Sequence, residues 1–250
     1  MWLILAFCSA ALLGFYDVCK KHALSGNAVL PVLFLNTAIC SLLFLPFIIL
    51  SSYTGLLDSS SFYVEPCGWE QHRYILLKAC IVLSSWIFGY FAMKHLPITI
   101  VGPINATRPV MVLVGALLVF GERLNVWQWA GVTLAIISFF LLKRSGKKEG
   151  VDFRHNKWIF SLILAAVLGA VSGLYDKYLM APPENGGVGL SRMVVQSWYN
   201  LYQLAMMGLT MLMIWWPTRK NSTPFTWKWS IIFISLFLSA ADFVYFYALS

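Results

Sequence analysis

Arg108 stands inside an apolar stretch, with Asn105 and Thr107 before it and Pro109 after it. A guanidinium near the middle of a bilayer costs roughly a few kcal/mol or more, so such a group is kept for a partner, a wet cavity or a substrate. Its planar donor fork suits a substrate carboxylate or phosphate. The competing reading is a structural ion pair with a membrane-embedded aspartate. Asp242, past the middle of the last apolar stretch, is the natural partner. It could equally carry a proton, as intramembrane carboxylates do in many transporters. Asp17 and Asp176 form a second pair of candidates, each preceded by a tyrosine, Tyr16 and Tyr175. Their alternative is a hydrated place at the membrane interface. Asn36, Asn105 and Asn200 could bind substrate, although side-chain amides also bridge neighbouring helices. Trp86, Tyr90, Tyr245 and Tyr247 could line a cavity, with lipid-facing packing as the plainer use.

Enzyme chemistry has little to stand on. His22, His72, His95 and His155 fall in loops or at helix ends. Cys19 precedes His22 by three residues and Asp152 precedes His155 by three, two lone pairs short of the three or four ligands of a zinc site. No glycine-rich phosphate loop of the P-loop kind is present, which argues against ATP-driven transport by this chain alone. No metal or cofactor is expected. The five cysteines lie mostly in or beside apolar stretches, as small packing residues do.

The elements that must position these residues are membrane spans. Hydrophobic residues make up 60% of the 250-residue chain and charged residues 11%, and the mean hydropathy is +0.75. A soluble domain carries about 25% charge. The formal net charge of +8 sits in short loops between apolar stretches, where the positive-inside bias places it, so nucleic acid is not the expected partner. Eight stretches approach the roughly 20 residues that a helix needs to cross a bilayer: residues 2–16, 29–50, 74–93, 101–120, 124–142, 158–178, 193–216 and 229–249. Lys78 and Lys94, near the two ends of the third, are expected to snorkel to the interface. A polar elbow, Gly121-Glu122-Arg123, joins the fourth and fifth, and residues 143–157 form a strongly basic linker.

Three features recur in order across that linker. Gly14-Phe15-Tyr16-Asp17 is echoed by Gly173-Leu174-Tyr175-Asp176, Asn36 by Asn200, and Tyr90-Phe91-Ala92-Met93 by Phe246-Tyr247-Ala248-Leu249, at offsets of 159, 164 and 156 residues. The expectation is a repeat of five helices, with domains at 1–142 and 158–250. Because five is odd, the second copy runs inverted, an arrangement found in transporters that hold substrate near the midplane. The second copy lacks its last two helices, so the expected fold is an all-α integral membrane protein with about eight of ten helices present.

Two motifs resemble the EamA branch of the drug/metabolite transporter superfamily. They are Pro-x-x-x-x-Arg-Pro at 103–109 and Gly-Glu-Arg-x-x-x-x-Gln-Trp-x-Gly at 121–131. The match is strongest over 94–142. The resemblance implies a secondary transporter of small polar metabolites such as amino acids, often an exporter. It also implies a central cavity lined mainly by the third, fourth, eighth and ninth helices. A non-transporting scaffold and an integral-membrane enzyme are the other classes. Expected partners are the lipid bilayer and a small-molecule substrate, with proton coupling and a homodimer both compatible. Basic residues follow the odd-numbered helices, which puts the N-terminus outside. The short loops suit a bacterial inner membrane.

Overall fold

The computed structural model describes residues 2–121, 125–146 and 155–249. Glu122 and Arg123 of the elbow, and 147–154 of the basic linker, lie outside the described residues. Helices account for nearly all of the rest: α1 (Trp2–Leu24), α2 (Val29–Tyr53), α3 (Trp69–His95), α4 (Ile98–Asn105), α5 (Arg108–Phe120), α6 (Val126–Gly146), α7 (Lys157–Met180), α8 (Arg192–Thr210), a single turn α9 (Trp216–Thr218) and α10 (Ser230–Leu249). Five segments are long and apolar enough to cross a membrane: Val29–Tyr53, Trp69–His95, Ile98–Val119, Lys157–Met180 and Ser230–Ala248. Their outward faces are apolar too, as at Leu42, Leu77, Leu164, Val171 and Phe233. Helices apolar on all sides are those that lipid surrounds. The chain is an all-α, multi-pass integral membrane protein.

Prolines set the breaks. The stretch expected as one fourth span is two helices meeting at Ala106-Thr107. Pro109 has no N–H to offer the carbonyl of Asn105, and its ring crowds that carbonyl. The turn is closed locally, with Thr107 Oγ1 donating to the Ile104 carbonyl at 2.7 Å and the Ala106 N–H to that of Gly102 at 2.9 Å. Gly121 ends α5 with φ 66°, a left-handed conformation that glycine adopts without a Cβ clash. Pro217 follows a five-residue π turn, Met211–Trp215, that loosens the end of α8. Pro31 sits in the first turn of α2, where its missing N–H has no helical partner in any case.

The chain divides into two compact units, Met1–Leu83 with Asp176–Ser250, and Ser84–Tyr175. In the first, α1 packs along α10, and α2 packs on α8 and α10. Leu24, Leu33, Ile75, Leu179 and Met193 fill its interior. In the second, α6 packs on α4 and α5, and Ser85 Oγ ties α3 to α7 through the Ala165 carbonyl at 2.7 Å. Tyr90, Met93, Ile100, Ile104 and Leu162 are buried there. The five cysteines are free thiols. At Cys67, in the loop before α3, burial and then the nearby Glu65 carboxylate push the thiol up to about 11.

Candidate substrate site

A lysine builds the site. Because α3 begins at Trp69, Lys78 is its tenth residue rather than an interfacial one, and it is only 2% exposed. The expected snorkelling does not occur, since the ammonium is satisfied from within. Lys78 Nζ donates to Asp176 Oδ1 near the end of α7, and Asp176 is itself buried. An unpartnered charge among apolar helices would cost several kcal/mol, and a close opposite charge offsets most of that. The same ammonium lies 5.0 Å from the centroid of the Tyr199 ring and 5.1 Å from that of Phe246. Tyr199, on α8, donates its phenolic O–H to Asp242 Oδ2 on α10. One cation, two carboxylates and a phenol thus meet within the first unit.

Uncharged polar groups extend this cluster between α2, α8 and α10. Ser235 Oγ donates to Asn36 Oδ1 at 3.0 Å, Ser41 Oγ to the Asn200 carbonyl at 2.7 Å, and Gln196 Nε2 to the Ser239 carbonyl at 3.3 Å. Gln203 is fully buried, yet neither its oxygen nor its nitrogen finds a partner among the described residues. Asn36 Nδ2, Gln196 Oε1 and Ser197 Oγ are in the same condition. Buried donors and acceptors left unsatisfied are expensive. A concentration of them gives this interface the donors and acceptors that water or a polar ligand can satisfy.

The structure brings Asp176 and Asp242 into one cluster and gives Asp17 a different partner. Asp17 Oδ1 accepts from Lys20 Nζ at 2.7 Å, three residues along the same helix, while that ammonium lies 4.2 Å from the ring centroid of the buried Tyr16. Tyr175 is half-buried on α7. Asp242 has Tyr199, from its own unit, as a hydrogen-bond donor. In the second unit, Arg108 opens α5 and its side chain lies flat against Gly169, where an added Cβ would come within 3.2 Å of the guanidinium carbon. Asn105 ends α4 with its amide oxygen buried and without a hydrogen-bond partner among the described residues. Trp86 is half-buried and Tyr90 fully so. Tyr245 is half-buried, and the exposed Tyr247 lies under the Arg192 guanidinium at 4.3 Å.

Sequence reasoning missed Lys78, Tyr199, Gln196, Gln203 and Ser235 as members of the site. The signal for three of them was present. Gln196, Tyr199, Asn200 and Gln203 stand at i, i+3, i+4 and i+7, a polar stripe along one face of an otherwise apolar helix. Of the helices expected to line a cavity, the third and eighth spans (α3 and α10) contribute. The second, sixth and seventh (α2, α7 and α8) supply the rest. Among the described residues no group of three or more His, Cys, Asp or Glu could hold a metal.

Membrane-spanning helices around a buried charged cluster define an integral membrane protein. Residues 1–144 match the EamA-like transporter family, and the chain belongs to that family. It is also similar to UDP-galactose transporter homolog 1 of Kluyveromyces lactis, at 23% identity over 84 residues, 32% of this chain and 25% of that protein. The chain thus matches about a quarter of that relative's length.

Proposed function

We propose that the chain is a secondary transporter that exports a small polar metabolite, with the amino acids as the first substrate class, by alternating access. The single observation behind this reading is the buried Lys78–Asp176 pair beside Asp242 and Tyr199. With both carboxylates ionised the cluster is one negative charge in excess. A zwitterion leaves that balance unchanged. Its carboxylate would take the place of Asp176 on Lys78 while its ammonium meets Asp176, so both members of the pair keep a counter-charge and Asp242, the excess carboxylate, keeps Tyr199 as its donor. Exchange of this kind keeps the bound and empty states close in energy, which a carrier needs if it is to release its cargo. Arg108, Asn105, Trp86 and Tyr90 are proposed as substrate contacts of the second unit, and Asp17, Tyr16 and Tyr175 as contacts at the helix ends. We read the eight helical stretches as spans of two inverted five-helix repeats, over 1–142 and 158–250, joined by the basic linker. Rocking of one repeat against the other supplies the motion.

The Kluyveromyces lactis relative supports a second reading, in which the cargo is a nucleotide sugar and the membrane an internal one of a eukaryotic cell rather than a bacterial inner membrane. A diphosphate would then need more positive charge than Lys78 alone supplies, and Arg108 is the candidate. A thermal-shift screen of the detergent-purified protein against amino acids, nucleotide sugars, sugar phosphates and polyamines separates the two. Amino acids are expected to raise the melting temperature of the native chain, to raise that of Arg108→Ala by less, and to leave that of Lys78→Gln unchanged. Stabilisation by nucleotide sugars alone, lost in Arg108→Ala, would replace the first reading with the second. A chain that responds to nothing would favour a scaffold.

A further inference from the structure

The two ends of the first unit carry opposite charge. At one end, after α2 and α7 and before α3 and α8, stand Asp58, Glu65, Glu70 and Glu184, against Arg73, Lys177 and Arg192. At the other, about 37 Å away along the 25 residues of α2, stand Lys20, Lys21, Arg219, Lys220 and Lys228, and residues 218–230 contain no carboxylate. The loop between α9 and α10 is held firmly there. Asn27 Nδ2 donates to the Thr226 carbonyl at 2.7 Å, and the Thr226 N–H returns a bond to Asn27 Oδ1 at 2.9 Å. Lys228 Nζ donates to the carbonyls of His22 and Ser25, at 3.0 and 2.6 Å, and so closes the end of α1. His22 Nδ1 and Ser230 Oγ lie 3.1 Å apart.

What this fixed loop shows outward is cationic and aromatic. Arg219 lies over the Trp216 ring at 3.9 Å, and the ring leaves the edge of its guanidinium fork open. Lys220 is exposed. Trp227 and Trp229 are 50% and 71% exposed, with their rings edge to face at 6.2 Å. The loop runs directly into Ser230, the first residue of a membrane-spanning helix, which sets it at headgroup depth. Indole rings favour that depth, and basic side chains there attract anionic lipid.

We propose that the loop 219–229 is a binding site for an anionic phospholipid headgroup. Arg219 and Lys220 hold the phosphate, and Trp227 and Trp229 sit in the glycerol and acyl boundary beside it. The lipid fastens the outer rim of α1 and α10 in the leaflet that the basic end faces. A soluble protein partner is a weaker occupant, because the tryptophans that would anchor it lie level with the membrane.

Native mass spectrometry of the protein released from nanodiscs of equal phosphatidylserine and phosphatidylcholine tests this. Phosphatidylserine is expected to be retained in preference. The preference should fall by about fivefold for each charge removed in Arg219→Gln and Lys220→Gln. It should survive the charge-conserving pair Arg219→Lys and Lys220→Arg, and Arg192→Gln at the opposite end. Equal retention of the two lipids would overturn the proposal, as would an undiminished preference in the doubly neutralised chain. Displacement of the retained lipid by inorganic phosphate would overturn it as well, since the occupant would then be a soluble anion.

Discussion

Tyr16-Asp17 near the end of α1 and Tyr175-Asp176 near the end of α7 look alike in sequence and behave differently in the fold. Asp17 has a lysine three residues ahead on its own helix and closes a local pair with it, one that forms whatever the rest of the molecule does. Asp176 has Leu179 at the corresponding position and meets Lys78, 98 residues away in sequence. The local pair keeps some access to solvent and rests on an aromatic face. The remote pair is buried, and each charge has the other as its counter-ion. Placing a carboxylate at the end of an apolar helix therefore leaves its role open. The origin of its counter-charge decides whether its pairing is local to one helix or joins distant helices.

Lys78→Met tests the remote pair most severely. It leaves Asp176 buried without its cation, and a loss of about 3–5 kcal/mol is expected, read as a lower melting temperature in detergent, together with loss of substrate response. Tyr199→Phe removes the donor to Asp242 while keeping the ring beside Lys78. It should cost about 1–3 kcal/mol and weaken substrate binding more than it lowers the melting temperature. Asp17→Asn should change stability by no more than about 1 kcal/mol, because Lys20 keeps its place over Tyr16 and the lost pair is partly solvated. If Asp17→Asn proved as damaging as Lys78→Met, the two regions would be equivalent and the distinction drawn here would fail.

The membrane character and the positions of the helices were legible in the sequence, because span length and apolar composition are local properties. Among the described residues, five segments are long and apolar enough to cross a membrane, at the second, third, fourth, sixth and eighth expected stretches. The break at Ala106-Thr107 was foreshadowed by Pro109 and overlooked, since the apolar run continues through it. The candidate site was legible only in part. Asp242 reads as a charge inside an apolar span, whereas Asp176 reads as a carboxylate at a helix end with a hydrated interfacial place as its alternative. Lys78 was assigned to the interface because its helix was begun five residues late, at Tyr74 instead of Trp69, which brought a buried lysine within apparent reach of water. The pairing of Lys78 with Asp176 is a tertiary fact, and no spacing within one helix announces it. Arg108, the most conspicuous residue of the sequence, lies in the other unit against Gly169.

The central claim is that the Lys78–Asp176 pair serves the cargo and not only the fold. The most direct test is the double variant Lys78→Met, Asp176→Leu, reconstituted in proteoliposomes beside the native chain and assayed for amino-acid exchange. Replacing both charges by apolar side chains of similar size should return stability to within about 1 kcal/mol of the native chain or improve it. Exchange should stay abolished in that stable protein. A double variant that is stable and still exchanges substrate at the native rate would show the pair to be structural and would contradict the account.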